Sequence, residues 1–121
     1  MATILVVDDS ALIRTMLKGI LSGQGHTVLE AVDGEDALQV FAEKGADLVF
    51  LDIFMPGKEG LQTIKELLET SPGLPIVAIS AGSTFTDTET LSWAKNYGAK
   101  MTLPKPLEAR EVINAVKTLV S

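Results

Sequence analysis

Four apolar runs divide the chain: Ile4-Leu5-Val6-Val7, Leu48-Val49-Phe50-Leu51, Ile76-Val77-Ala78-Ile79 and the shorter Met101-Thr102-Leu103. Runs of this length, bounded by turn residues, predict strands buried on both faces. They place strands at Thr3 to Val7, Asp47 to Leu51, Ile76 to Ile79 and Lys100 to Leu103. A less apolar strand is predicted at Thr27 to Ala31.

Between the strands the apolar period changes from continuous to helical. Leu12, Ile13, Met16, Leu17, Ile20 and Leu21 form a broad stripe, with Asp9 or Ser10 as N-cap and Gly23 and Gly25 as the stop. Asp33 caps a second helix with acids in its first turn, and Ala37, Leu38, Phe41 and Ala42 give its buried side. Leu61, Ile64, Leu67 and Leu68 mark a third helix after the breaker Met55-Pro56-Gly57. Thr86-Asp87-Thr88-Glu89 has the capping-box pattern and opens a fourth. Val112, Ile113, Val116, Leu119 and Val120 mark the last.

Alternating strands and helices predict a three-layer α/β domain with a parallel sheet covered on both faces. Right-handed crossovers leave few topologies, of which the flavodoxin-like strand order 2-1-3-4-5 is the obvious one. In that order ligands bind at the carboxyl ends of strands one and three, where the winding reverses. Residues 1–121 show no linker, repeat or low-complexity segment, so one domain is expected.

Composition narrows the function. There is no cysteine, which excludes a disulfide framework and thiolate chemistry. The net charge of −6 weighs against nucleic acid, which demands a basic footprint. No apolar stretch approaches a membrane span, and Met1-Ala2-Thr3 runs into a strand without a basic leader, so a cytoplasmic protein is expected. His26 stands alone before a strand and reads as a surface residue. Trp93 and Tyr97, four apart on the fourth helix, read as core or half-buried packing. Gly57 and Gly60 do not follow a strand in the dinucleotide pattern, which argues against such a cofactor.

The chemistry lies at the strand ends. Asp8 and Asp9 close the first strand and Asp52 the third, so the predicted topology brings three carboxylates together. Like charges in a crevice raise one another's pKa values, and a cation relieves them. Hard oxygen ligands beside a phosphate suit Mg²⁺. A carboxylate beside the metal can act as a nucleophile toward phosphorus. Ser80 ends another strand, and Lys105-Pro106 follows the last. Taken alone, Ser80 reads as a strand-end cap and Lys105 as a solvated turn lysine.

Together, Val7-Asp8-Asp9-Ser10, Leu51-Asp52-Ile53-Phe54-Met55-Pro56 with Gly60, Ser80-Ala81 and Lys105-Pro106 resemble the CheY-like receiver domain of two-component response regulators. The resemblance covers essentially the whole chain, in the family's order. It implies that Asp52 accepts a phosphoryl group from a histidine kinase or histidine phosphotransfer protein. Mg²⁺ would be held by Asp8, Asp9, Asp52 and the backbone carbonyl of Phe54, with Asp8 acting directly or through water. Ser80 and Lys105 would contact the phosphate. The Lys105-Pro106 bond is expected to be cis. Output would pass to a protein target through the fourth helix, fifth strand and last helix. The only catalysis implied is that of the domain's own phosphorylation and dephosphorylation.

Three departures from the family pattern stand out. Thr102 occupies a position that is often aromatic, so an aromatic flip is not expected to drive the switch; the loop Gly82-Ser83-Thr84-Phe85, longer than usual, is expected to move instead. Gly57-Lys58-Glu59-Gly60 puts a positive charge near the site mouth. A stand-alone receiver competes with the receiver half of a larger regulator, with a pseudo-receiver scaffold and with an aspartyl phosphatase. The last would need a second acid where Phe54 stands. If Ser121 is the natural end of the chain, the stand-alone reading is expected.

Overall fold

The structure is a computed structural model that describes residues 2–53, 59–80 and 97–120. Its strands are β1 (Thr3–Val7), β2 (Thr27–Ala31), β3 (Leu48–Asp52), β4 (Ile76–Ser80) and β5 (Met101–Pro104). All neighbours are parallel, in the order β2-β1-β3-β4-β5. The helices are α1 (Ala11–Gly23), α2 (Gly34–Lys44), α3 (Glu59–Thr70) and a C-terminal helix, Ala109–Val120. None of the described helices is long and apolar enough to cross a membrane.

Alternation along the strands builds two cores. Leu5, Val7, Val49, Leu51, Ile76 and Ala78 pack with α2 and α3 on one face. Ile4, Val6, Leu48, Phe50, Val77, Ile79 and Leu103 pack with α1 and the C-terminal helix on the other. The interior strands β1 and β3 are buried along almost their whole length, from Ile4 to Val7 and from Leu48 to Asp52. Each large side chain so buried contributes about 1.5–3 kcal/mol, enough in sum to offset the several kcal/mol that buried charges cost. The edge strand β2 exposes Thr27 and Glu30. The opposite edge strand ends in Pro104, whose missing N–H an edge tolerates.

Two helices bury less than their apolar stripes predict. Leu12 is 77% exposed, and Ala42 is exposed too. Each lies five residues from a buried position, Leu17 or Ala37, which is about 140° around a helix. The sheet covers a narrower arc than that. Val40, four residues before Lys44, packs against the core in place of Ala42.

Candidate metal and phosphoacceptor site

Register brings the acids together. Val7 pairs with Leu51, so the next residues along β1 and β3 are Asp8 and Asp52. Period two places both on the face of Ile4, Val6, Leu48 and Phe50. Ser80 pairs with Pro104, so Lys105 emerges beside the same strand ends. Carboxylate oxygens of Asp8, Asp9 and Asp52 lie within 4.8 Å of one another, with Asp8 and Asp52 buried and Asp9 exposed.

The β1–α1 turn is fixed by its own polar groups. The Ser10 N–H donates to Asp8 Oδ1 at 2.8 Å, and Ser10 Oγ caps α1 by accepting from the Ile13 N–H. Of the two predicted caps, Ser10 is therefore the one used. Asp8 and Asp9 precede the positive end of α1, which favours negative charge there. After Asp52 the chain is held close to α3. A Cβ on Gly60 would lie 2.5 Å from the Ile53 Cα, so only glycine allows this approach.

Lys105 Nζ hydrogen-bonds Asp52 Oδ2 at 3.2 Å and lies 3.4 Å from Asp8 Oδ2. The resemblance implied a Lys105 contact with the phosphate carried by Asp52; nothing in the sequence pointed to its contact with Asp8. The Lys105-Pro106 bond is cis, as the resemblance implied. Burial pushes the Asp8 carboxyl above the usual carboxylate range, and the Asp52 charge pushes the same way; the Ser10 N–H and Lys105 only partly pull it back. Burial disfavours the Lys105 ammonium, but the charges of Asp52 and Asp8 outweigh it and raise its pKa.

Among the described residues, one ammonium against three carboxylates leaves an excess of negative charge that a divalent cation would cancel. Asp8 Oδ2 is buried and accepts no hydrogen bond among the described residues. Its described partner is the Lys105 ammonium at 3.4 Å, and a buried oxygen so loosely met, in an all-carboxylate set, fits a hard cation such as Mg²⁺. The Phe54 carbonyl, the Ser80 hydroxyl, the 82–85 loop, the Thr86 capping box and Trp93 lie outside the described residues. Tyr97 is 46% exposed, outside the core and about half-buried. His26 is partly buried, and its Nδ1 accepts the Ala2 N–H at 3.1 Å.

The model of the response regulator receiver domain matches residues 4–117. The chain belongs to the response regulator receiver family. It is 32% identical over 124 residues to protein PilH of Pseudomonas aeruginosa, covering all of this chain and 99% of PilH. It is 34% identical over 116 residues to the DNA-binding transcriptional regulator NtrC of Escherichia coli, covering 96% of this chain and 24% of that protein. Among solved structures, the receiver domain of NtrX from Brucella abortus superposes with a TM-score of 0.89 at 36% identity, covering 97% of each chain. The CheY-like fold, with its order 2-1-3-4-5, and the function class of a phosphoacceptor response regulator follow from this membership. Receiver domains meet kinase or phosphotransfer partners, and their family typically uses Mg²⁺.

Two parts of this receiver site escaped the sequence reading. Arg14 Nη1 donates to the Asp8 carbonyl oxygen at 2.7 Å, and Arg14 Nε pairs with Glu30 Oε1 at 3.2 Å. An arginine on the polar flank of a helix carries no sign of this in the sequence, because its partner arrives from β2.

Proposed function

We propose that Asp52 accepts a phosphoryl group from the phosphohistidine of a kinase or phosphotransfer protein, with Asp8, Asp9 and Asp52 holding Mg²⁺. The observation that carries the reading is Lys105 bridging buried Asp52 and Asp8, with Asp9 at the open side of the same cluster. A carboxylate oxygen of Asp52 attacks phosphorus as the P–N bond breaks, and the electron pair leaves with the imidazole. Asp52 needs no general base, since it reacts as the anion that the Lys105 ammonium stabilises. When bound, Mg²⁺ supplies positive charge that neutralises the acids and the incoming phosphoryl oxygens. Lys105 then exchanges its Asp52 contact for the new phosphate oxygens, a differential contact of the kind a two-state switch requires. The resemblance adds the Ser80 hydroxyl and the Phe54 carbonyl to the set.

The domain catalyses only its own phosphorylation and dephosphorylation. Its output goes to a protein target through the fourth helix, β5 and the C-terminal helix, and no nucleic acid is read directly. A cytoplasmic location belongs to the same reading. Incubation with acetyl phosphate and Mg²⁺, read by intact mass, tests it. One phosphoryl group should add to the wild type and none to Asp52→Asn. An unmodified wild type that also fails to bind beryllofluoride would overturn the reading.

A further inference from the structure

We propose that Arg14 and Glu30 form a strut that sets the Asp8–Asp9 peptide plane and so positions Asp9 toward Mg²⁺; the inference rests on the cation reading above. Asp9 is exposed, and no described hydrogen bond or ion pair reaches its carboxylate. Its direction is therefore inherited from the backbone that carries it. The Asp8 carbonyl and the Asp9 nitrogen share one rigid peptide plane. Arg14 Nη1 grips that carbonyl at 2.7 Å, a short charge-assisted bond.

The guanidinium is itself braced. Arg14 Nε binds Glu30 Oε1 at 3.2 Å, and Lys18 Nζ lies 3.8 Å from Glu30 Oε2. The Arg14 side chain is only 16% exposed. Its ends are tied to three places: α1 through its own backbone, the edge strand β2 through Glu30, and the metal-binding turn through Asp8. Asp8 needs no such help, because Ser10 and Lys105 already hold its carboxylate. Among the described residues, Asp9 has only the strut.

Charge and position predict opposite signs. Removing Arg14 deletes a positive charge beside a cation site and leaves Glu30 without that partner. By Coulomb's law alone, both changes would tighten cation binding. If Arg14 acts by position, binding weakens instead. The loss should also be selective. Mg²⁺ demands near-octahedral geometry, whereas Ca²⁺ accepts irregular shells of 6–8 oxygens. A positioning residue therefore matters more to Mg²⁺ than to Ca²⁺. A residue that merely stabilises the fold alters neither ratio.

The test is calorimetric titration of the full chain with MgCl₂ and, separately, CaCl₂. Wild type, Arg14→Ala, Glu30→Gln and Asp9→Asn are compared, each checked for native circular dichroism. Arg14→Ala should weaken Mg²⁺ binding about tenfold, the lower end of what supporting partners of metal ligands are worth. Ca²⁺ binding should change by no more than about twofold, given its tolerant geometry. Glu30→Gln lowers both affinities through its lost charge and should lower that of Mg²⁺ further. It also keeps the strut testable should Arg14→Ala fail to fold. Mg²⁺ binding as tight as or tighter than wild type in Arg14→Ala overturns the strut, as does an equal loss for both cations in either variant. If Asp9→Asn abolishes Mg²⁺ binding while Arg14→Ala keeps the wild-type affinity, the cation reading stands and the strut falls. A wild type that binds no Mg²⁺ overturns the cation reading, and the strut with it.

Discussion

The tips of β1 and β3 and the turn that enters α1 carry the same chemistry in opposite settings. At the tips, Asp8 and Asp52 are buried, and the Lys105 ammonium meets both. In the turn, Asp9 is solvated and ends in no described contact. Burial makes the first pair costly when uncompensated, so the fold supplies Lys105. Exposure makes Asp9 cheap to leave open, so it can meet a cation from solvent. A divided site of this kind is stable without metal yet incomplete without it.

The buried half should break hardest. Lys105→Ala removes the ammonium that meets both buried carboxylates. Removing one partner of a buried pair costs about 3–5 kcal/mol, and partial exposure of Lys105 places this case at the lower end. Chemical denaturation of metal-free protein checks it. Saturating Mg²⁺ should return much of the loss, since ligand at 100 times its dissociation constant contributes about 2.7 kcal/mol.

Wild type should show a Mg²⁺-dependent rise in melting temperature through the same linkage. Asp9→Asn should melt like wild type without metal but lose that rise, because it alters only the open half. Equal Mg²⁺ responses in the two proteins would erase the distinction between the halves.

Asp8→Asn should do the opposite. It removes the buried charge that Asp52 repels, while its side-chain oxygen can still accept the Ser10 N–H. Metal-free stability should rise by roughly 1 kcal/mol, a few degrees in a thermal melt. The Mg²⁺ response should shrink. A destabilised Asp8→Asn would mean that the Lys105 contact outweighs the repulsion.

The smallest effect belongs to the cap. Ser10→Ala should cost about 0.5–1 kcal/mol, at the low end for N-caps because the bond to Ile13 is long at 3.4 Å. The loss should be the same with and without Mg²⁺.

What could be read in the sequence follows from how local each feature is. The apolar runs of β1 and β3 are strands because their burial is continuous, and the fold rules alone put Asp8 and Asp52 at one crevice. Asp33 and Ser10 are caps because capping acts over three residues. Leu12 and Ala42 misled because a periodic stripe cannot report how wide an arc the sheet covers. The Lys105 contact with Asp8, the Arg14–Glu30 brace and the Ala2–His26 bond join elements distant in the chain. No periodicity encodes such pairs.

The most direct measurement is the position of the phosphate. After reaction with acetyl phosphate in Mg²⁺, the aspartyl phosphate can be trapped by borohydride reduction and mapped by peptide mass spectrometry. The divided site predicts a single modification, at Asp52, lost when Mg²⁺ is chelated and lost in Asp9→Asn. Modification at Asp8, Asp9 or His26, or equal labelling of Asp52 in chelator, would contradict it.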